Sequence, residues 1–331
     1  MAQTDLELPA IHALVERVLA ANGCDADNAV AVARTVTAAE RDGARSHGLF
    51  RVPGYVAALR NGRVRGDASP TIETVTPAFL RVDGDGGFAP LALERGLPAL
   101  ANATRALGVA AMAINDCYHF AALWPETEAL AAESLAGIAC VNYAAVVAPH
   151  GGSEPIFGTN PLAYAWPRPG ADPVVADMAT AAMAQGEIQL AARAGRPVPE
   201  GTGVDAAGRP TTDPAAILDG TQLPFGGHKG SAIALLVELL AAAATGDAFS
   251  YEVAGDSADG GPTRGGEFLL AFDPAVLAGA AGSDRSEAFF RRFEAIPGAR
   301  LPGSRRHRLR REPGPRAVDS ELLARIRALA E

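Results

Sequence analysis

The sequence predicts a mixed α/β protein whose sheet does not follow the Rossmann plan. Strand-like and helix-like patterns alternate along most of the 331 residues, and 48% hydrophobic with 20% charged positions is typical of a globular chain with a large core. The chain contains no good match to the dinucleotide fingerprint GxGxxG or to the Walker pattern GxxxxGK[ST]. Together these observations favour an α/β fold without a Rossmann or P-loop site.

Hydrophobic periodicity places the elements of the first third of the chain. Residues 8–22 carry apolar side chains at helical spacing, and Asp25 or Asp27 can cap a second helix that ends near Gly43. Further on, apolar runs predict a strand pair and then a turn, whose glycines can adopt positive φ at little cost. The elements after the second helix are strands at 72–75 and 79–82, the turn at 83–87, a helix at 90–107 and a buried strand at 109–114.

The rest of the chain alternates between strands and helices around one long segment. Residues 195–227 are rich in Gly, Pro, Thr and Asp and too long for an ordinary connection, so they are predicted to form a functional loop or a lid. The tail has two helical patterns flanking the arginine-rich segment 300–316. The other predicted elements are helices at 121–134, 186–194 and 230–245, strands at 137–142, 162–166, 174–178 and 268–272, and a Gly/Asp-rich loop at 253–266.

Charge and cysteine content argue against several classes of protein. A net charge of -9 and a pI near 5.3 disfavour a general binder of nucleic acid or anionic membranes, because an acidic surface repels polyphosphate; any phosphate site must be local. Three widely spaced cysteines without a CxxC pair indicate neither a disulfide framework nor a zinc site. The chain has no recognisable export signal and no apolar run of about 20 residues, so we expect a cytoplasmic protein.

The first candidate for chemistry is the segment 41–55, RDGARSHGLFRVPGY. Histidine can both give and take a proton at neutral pH. Arg51 lies four residues after His47, so a helical segment after Gly48 would put both side chains on one face. A guanidinium that binds a carboxylate bidentately would then place a small acid against the imidazole. The alternative is a helix-capping Ser46 with the histidine and arginine on the surface.

Three other segments could contribute polar groups to a site. GGHKG at 226–230 precedes a strong helix and could hold a phosphate with backbone N–H groups and Lys229, although a tight turn is the alternative. Asp177 and Glu187 flank a strand end and could form an acid/base relay with a histidine; alternatively one caps a helix and the other is solvated. His119 stands beside aromatic residues, where a core histidine is the alternative.

Neither a metal site nor a serine hydrolase is expected. The six histidines show no HxxxH or HxH pairing. GxSxG is absent, so the Ser46–His47 pair does not resemble a nucleophile elbow. The arginines at 305–311 form a basic cluster in an acidic protein, which could be a solvated tail or could meet a 2′-phosphate.

In this order the motifs resemble the malate/L-lactate dehydrogenase family, whose members use NAD(P)H on a fold distinct from Rossmann. The shared segments are SHGLFRVPGY (46–55), PHGG (149–152), FGTNPLA (157–163), DMAT (177–180), LPFGGHKG (223–230) and RLPGSRR (300–306). They extend from the second predicted helix to the tail, and a set in fixed order is far more specific than any one member. Within the family the chain is most similar to the Δ1-piperideine-2-carboxylate/Δ1-pyrroline-2-carboxylate reductases, above all in HFAALW at 119–124.

The resemblance implies NADPH-dependent reduction of a cyclic imine carboxylate to L-pipecolate or L-proline. It also implies a mixed sheet with flanking helices and a homodimer. A discontinuous helical, substrate-side and dimerisation domain (1–118 with 275–331) would accompany an NADPH-binding domain (119–274). The chain departs from these reductases at Glu187, where they have aspartate, in DMATA for DxATS, and at Cys117 and Tyr118. These departures bear on substrate preference more than on the reaction.

The resemblance further implies a role for individual residues. Ser46, His47 and Glu187 would form the proton relay, and Arg51 and Thr159 would bind the substrate. The arginines of the last segment suit NADPH over NADH. The residues that would line the cofactor are His119, Phe120, Ala121, Ala122, Leu123, Asp177, Met178, Ala179, His228, Lys229, Arg300, Leu301, Pro302, Gly303, Ser304, Arg305 and Arg306.

Two rival functions stay open on the sequence. Another member of the same family would reduce a 2-keto acid, such as oxaloacetate, pyruvate or a ureidoglycolate-type substrate, to its 2-hydroxy acid. A protein of another class would have kept the fold as a non-catalytic scaffold. An imine reductase or a keto acid reductase would bind a small-molecule substrate. Neither nucleic acid nor a membrane is expected as a partner of these enzymes or of the scaffold.

Overall fold

The computed structural model describes residues 2–119, 122–253, 261–279 and 281–331, without the side chains of residues 281 and 283. Strands occupy the centre and helices flank them. The strands are β1 (Gln3–Leu6), β2 (Thr71–Thr76), β3 (Phe79–Phe88), β4 (Val109–His119), β5 (Ala136–Val141), β6 (Leu162–Trp166), β7 (Val174–Met178), β8 (Gly203–Val204), β9 (Pro210–Thr211), β10 (Thr221–Gln222), β11 (Thr263–Phe272) and β12 (Arg316–Asp319). The helices are α1 (Leu8–Ala21), α2 (Ala26–Arg41), α3 (Val52–Arg60), α4 (Ala89–Leu107), α5 (Trp124–Ala132), α6 (Gln185–Arg193), α7 (Pro214–Asp219), α8 (His228–Glu238), α9 (Pro274–Ala278), α10 (Ala281–Glu294), α11 (Ser304–Arg311) and α12 (Ser320–Ala328).

The main sheet orders seven of the described strands as β2-β3-β4-β11-β5-β6-β7. β3 and β4 run parallel, and the other neighbouring pairs run antiparallel. α4 connects the parallel pair and packs on both of its strands, as a parallel crossover requires. The predicted mixed sheet with flanking helices is confirmed.

The N-terminal helices form their own core with the end of the chain. Asp25 caps α2 by accepting a hydrogen bond from the backbone N–H of Asn28 at 2.9 Å, which decides between the two candidate caps. The apolar faces of α1, α2 and α3 pack with Val318, Leu323 and Ile326 of the tail. β1 pairs with β12, so both ends of the chain join this layer.

The proposed division into two domains stays a prediction. The packing of the N-terminal helices against the tail agrees with a discontinuous first unit. The main sheet, however, contains β2, β3 and β4 from that unit together with β5, β6, β7 and β11 from the other. Any boundary between the two units therefore divides a continuous hydrogen-bonded sheet.

The predicted glycine turn at 83–87 is wrong, because these residues continue β3. The register between β3 and β4 shifts between Asp83 and Gly87, which is the signature of a bulge. A Cβ at Gly84 would lie 2.6 Å from the Cβ of Cys117, so the missing side chain lets the two strands approach. The glycines therefore shape the sheet rather than end the strand.

Two further predictions need correction. Residues 195–227 are not a structureless loop, because they contain α7 and a small sheet in the order β10-β8-β9. The arginine-rich segment 300–316 itself contains α11, which follows Gly303 at φ 90°. The helix predicted over 230–245 begins at His228, and it continues after α8 as a π-helical turn, Leu239–Ala243. Within the described part of the chain, no helix has the length and apolarity to cross a membrane.

Candidate active site

A cavity of about 480 Å³ lies where the turn after α2, the ends of β4 and β7, the start of α6 and the start of α11 meet. Its volume falls in the range typical of small-molecule sites. Most of the residues expected to act together do line it. The predicted residues in its wall are Ser46, His47, Arg51, His119, Ala122, Leu123, Thr159, Asp177, Met178, Ala179, Glu187, Arg305 and Arg306.

Two short 3-10 turns present the first motif to the cavity. They cover Arg45–His47 and Leu49–Arg51, directly before α3. Buried Glu40 on α2 anchors them, because its Oε1 accepts a 2.7 Å hydrogen bond from the backbone N–H of Leu49. A Cβ at Gly48 would overlap that carboxylate, so only glycine allows this close approach. The expected sharing of one face by His47 and Arg51 is thus reached through tight turns rather than a regular helix.

Ser46, His47 and Arg51 form one connected group. The hydroxyl Oγ of Ser46 lies 3.1 Å from Nδ1 of His47, and within the described residues Nε2 has no hydrogen-bond partner. The Nε of Arg51 donates a 2.6 Å hydrogen bond to the backbone oxygen of Ser46. A Cβ at Gly186 would lie 2.7 Å from Nη2 of Arg51, so the glycine at the start of α6 makes room for the guanidinium.

Burial lowers the pKa of both His47 and Arg51, and the charge of Arg51 adds to the effect on His47. Desolvation, followed by the nearby charge of Arg51, lowers the pKa of His47 to about 3. Desolvation also lowers the pKa of Arg51 from its ordinary value. The imidazole is therefore neutral near pH 7 in the free protein. An anion bound to Arg51 would offset the repulsion and favour the protonated imidazole.

Glu187 and Thr159 reach the cavity from two other elements. Glu187 lies in the first turn of α6, and among the described residues no hydrogen bond joins its carboxylate to the imidazole of His47. The backbone oxygen of Thr159 accepts hydrogen bonds from the N–H and the hydroxyl of Thr180, at 2.9 and 3.1 Å. The cavity thus holds the predicted relay acid without a direct contact to the histidine.

Asp177 fixes the start of α5 beside the cavity. Its Oδ2 accepts hydrogen bonds from the backbone N–H groups of Leu123 and Trp124, at 2.9 and 3.1 Å. Burial raises the pKa of Asp177, while the charge of Arg306 and these two hydrogen bonds oppose the rise. The carboxylate of Asp177 therefore links the start of α5 to the end of β7. An acidic group at a helix N-terminus is favourable, because it accepts from the unpaired backbone N–H groups there.

Arg306 offers a binding surface for an anion. Its guanidinium lies over the Trp124 ring at 5.1 Å, and its Nη2 donates a 2.8 Å hydrogen bond to the backbone oxygen of Val175. The Nε of Arg306 is buried and has no hydrogen-bond partner within the described residues. Arg305 lines the same cavity and forms no ion pair in that part of the chain. A partnerless buried donor beside a second cation fits a phosphate-bearing cofactor.

The remaining predicted cofactor residues lie elsewhere. His228 and Lys229 begin α8 and do not line the cavity; the ring of His228 packs 6.1 Å from that of His150. Just before their loop, the N–H of Phe225 donates a 2.9 Å hydrogen bond to the backbone oxygen of Thr180, a residue that does not line the cavity. Arg300 also lies outside the cavity. Phe120 and Ala121 lie outside the described residues.

The segment before Arg305 has a structural role in the fold. The backbone oxygen of Pro302 accepts a 3.2 Å hydrogen bond from the N–H of Val175, and Leu301 is buried. The hydroxyl of Ser304 donates to the oxygen of Leu301 at 2.8 Å. Together with Gly303, these residues hold the start of α11 against β7.

Several cavity residues were missed by sequence reasoning. Tyr143 lines the cavity and its charge, when present, would favour the charged form of Arg51. It follows a predicted strand directly, a position that could have suggested a site. Arg45 lies within the first candidate segment, 41–55, but was not singled out there, and Gln185 carried no signal of its own. Within the described residues, no group of three or more potential metal ligands occurs.

Comparison with known proteins gives a consistent result. The model of the malate/L-lactate dehydrogenase family matches residues 6–326. The chain is 46% identical to a Δ1-pyrroline-2-carboxylate reductase of Ancylobacter novellus over 98% of this chain and 97% of that protein. It is 45% identical to a Δ1-pyrroline-2-carboxylate/Δ1-piperideine-2-carboxylate reductase of Pseudomonas putida, over 94% and 93%. A solved Δ1-piperideine-2-carboxylate reductase from Pseudomonas syringae superposes with a TM-score of 0.93 at 42% identity, over 98% and 99% of the two chains.

Proposed function

This chain belongs to the malate/L-lactate dehydrogenase family, and on that premise we propose that it reduces a cyclic imine carboxylate with NADPH. The products would be L-pipecolate from Δ1-piperideine-2-carboxylate and L-proline from Δ1-pyrroline-2-carboxylate. The observation that carries the proposal is the cavity that His47 and Arg51 share, because it sets a carboxylate-binding cation beside an acid/base group. The activities named for relatives at 45–46% identity support the imine as substrate.

The reaction requires a hydride at C2 of the ring and a proton at its nitrogen. NADPH supplies the hydride when bound, and the electron pair of the C=N bond moves to nitrogen, which takes the proton. Arg305 and Arg306 would meet the 2′-phosphate, because one lines the cavity without an ion pair in the described residues and the other has a buried donor without a partner. These two cations support NADPH over NADH.

The protein groups would position the substrate and manage the proton. Arg51 would bind the carboxylate, with Thr159 on the same molecule. Desolvation is the larger cause that lowers the pKa of His47 and the charge of Arg51 is the smaller one, which an anion beside Arg51 would offset. The imidazole would then relay the proton to the ring nitrogen through Nε2. Ser46 holds Nδ1, and Glu187, which lines the same cavity from α6, would complete the proton relay. Positioning and charge matching then supply most of the rate.

We also propose that the protein is a cytoplasmic homodimer. Cys24, Cys117 and Cys140 are buried free thiols, which suits a reducing compartment. One face of α8 and the following π turn exposes Leu235, Leu239 and their neighbour Leu236, each about half accessible. Aliphatic side chains clustered on one helix face in this way are typical of a contact surface, and a second copy of the chain would cover them.

The proposal is tested by NADPH oxidation with a panel of four acids: piperideine-2-carboxylate, pyrroline-2-carboxylate, pyruvate and oxaloacetate. We expect turnover of the two imines. Replacing His47 with Ala should lower kcat/KM by about 10²- to 10⁴-fold, the usual contribution of general acid catalysis, with NADPH affinity nearly unchanged. His12→Ala is the matched control, because His12 pairs with Glu16 on α1 away from the cavity.

The other outcomes of the panel identify the rivals. Turnover of only the keto acids would point to a 2-hydroxy acid dehydrogenase. A flat panel would favour the non-catalytic scaffold. Unchanged imine turnover in the His47→Ala variant would refute the assignment of the proton donor.

A further inference from the structure

Two glutamates are buried together behind the cavity, and neither belongs to the predicted site. Glu267 lies in β11, the central strand of the main sheet, and its side chain is fully inaccessible. Glu126 lies in the first turn of α5 and is 6% exposed. Both carboxyl oxygens of Glu267 and Oε2 of Glu126 lack a hydrogen-bond partner within the described residues. Buried carboxyl groups without donors are rare, because the charged form is costly there.

Glu267 touches a residue that does line the cavity. Its Oε2 lies 3.4 Å from Nδ1 of His119, at the end of β4. On the other side of the ring, Nε2 of His119 lies 3.0 Å from Sγ of Cys117, and that sulfur lies 3.9 Å from the backbone oxygen of Gly265. The imidazole is therefore held between an acid and a thiol, with its exposed edge toward the cavity.

Burial opposes the charged form of every titratable side chain in this series of contacts. Desolvation, with the charge of Glu126, raises the pKa of Glu267 well above its ordinary value. Desolvation raises the pKa of Glu126 to about 8 against its own backbone hydrogen bond, with a further rise from Asp177. Burial lowers the pKa of His119 to about 4 and raises that of Cys117. Two carboxyl groups that share a dry site cannot both ionise.

We propose that Glu267 is a positioning residue whose neutral carboxyl group, supported by Glu126, holds the neutral imidazole of His119 in one tautomer toward the cofactor side of the cavity. The O–H of Glu267 would donate to Nδ1 of His119, the Nε2–H would donate to Cys117, and the S–H would donate to the oxygen of Gly265. Each donor in the series has one acceptor. The inference rests on the proposed function only in giving His119 a cofactor to face.

This arrangement has a consequence for stability against pH. Because the folded pKa of Glu126 and Glu267 lies above the unfolded one, their neutral forms favour folding at low pH, and that advantage is lost as pH rises from about 4.5 through about 8. The pKa of His119 is lowered, so this residue acts in the opposite sense: it disfavours folding as the pH falls below about 6.5. The other titratable groups that act on this cluster are Asp116 on β4, Cys140 on β5, Asp177 on β7, Asp247 after α8 and Arg264 on β11.

The variant Glu267→Gln tests the proposal, because glutamine imitates a protonated glutamate and can still donate to Nδ1. We expect it to bind NADPH and to turn over imine within about threefold of wild type, and to melt about 3 °C higher than wild type at pH 8 with no gain at pH 5. Glu267→Ala should weaken NADPH binding about tenfold, since His119 loses its support. Glu238→Gln is the matched control: this buried glutamate accepts from Asn160 and Ser250, so glutamine there should lower the melting temperature at both pH values.

Imidazole ¹⁵N spectra of the wild-type protein supply a readout that does not depend on activity. His119 should appear as the Nε2–H tautomer from pH 5.5 to 8, with its signal assigned by its loss in His119→Gln. An Nδ1–H tautomer, an imidazolium signal, or a Glu267→Gln variant as impaired as Glu267→Ala would overturn the proposal. If wild type reduced no imine while these spectra and melting shifts were as expected, the proposed function would fail and the inference about Glu267 would stand.

Discussion

At the scale of single residues, the repulsion between Arg51 and His47 links substrate binding to proton supply. Desolvation, together with the charge of the Arg51 guanidinium, keeps the imidazole of His47 neutral in the free protein. A bound substrate carboxylate would offset the charge of Arg51, so the substrate itself would favour the protonated form of His47. We expect substrates without a carboxylate to react more slowly, because they would not offset the charge of Arg51.

Cofactor preference is also decided by individual side chains. Arg305 lines the cavity and forms no ion pair in the described residues, so replacing it with Ala should remove a contact to the 2′-phosphate. We expect kcat/KM to fall about tenfold with NADPH, the equivalent of one modest charge-assisted hydrogen bond, and to change little with NADH. Initial rates with both cofactors measure the effect.

Arg308 provides the control for that comparison. It lies one turn further along α11, is exposed and does not line the cavity. Arg308→Ala should leave both rates unchanged. Equal losses with NADPH and NADH in Arg305→Ala would contradict a role at the 2′-phosphate.

At the scale of elements, local rules predicted the regular parts and failed at the irregular ones. The periodicity of α1, α2 and α4 and the apolar runs of β6 and β7 gave their positions closely, because each buries one face or both. The glycine-rich run at 83–87 is equally compatible with a turn and with a bulge, so composition alone does not distinguish them. Only the approach of β4, with Cys117 against Gly84, selects the bulge, and that contact is distant in sequence.

The exposed face of α8 is the element that we expect to form the dimer contact. Leu235 and Leu239 lie one turn apart and are about half accessible, so replacing both with Glu should place charges in the contact and yield monomers. Light scattering coupled to size-exclusion chromatography measures the mass. The control is Leu277→Glu, because Leu277 is 62% exposed on α9, a different element. A wild-type monomer at micromolar concentration, or a double variant that remained dimeric, would be inconsistent with this contact.

At the scale of the whole molecule, the candidate site is assembled from segments between residues 43 and 306. The motifs predicted most of its members because each motif carries a distinctive residue pattern, as in SHGLFR and HFAALW. The motifs could not predict which of these segments lie next to one another in the folded protein. The GGHKG loop lies beside His150 instead of the cavity. Glu126 and Glu267 had no motif, and only the folding of α5 onto the sheet makes them neighbours.

The central claim is that Arg51 and His47 face a small acid across the bound cofactor, and a crystal structure with NADP⁺ and L-proline measures it most directly. We predict the carboxylate of proline on the guanidinium of Arg51 and the ring nitrogen about 3 Å from Nε2 of His47, within the reach of a proton donor. A proline carboxylate bound at Arg305 and Arg306, or a ring nitrogen out of hydrogen-bonding reach of His47, would contradict the account.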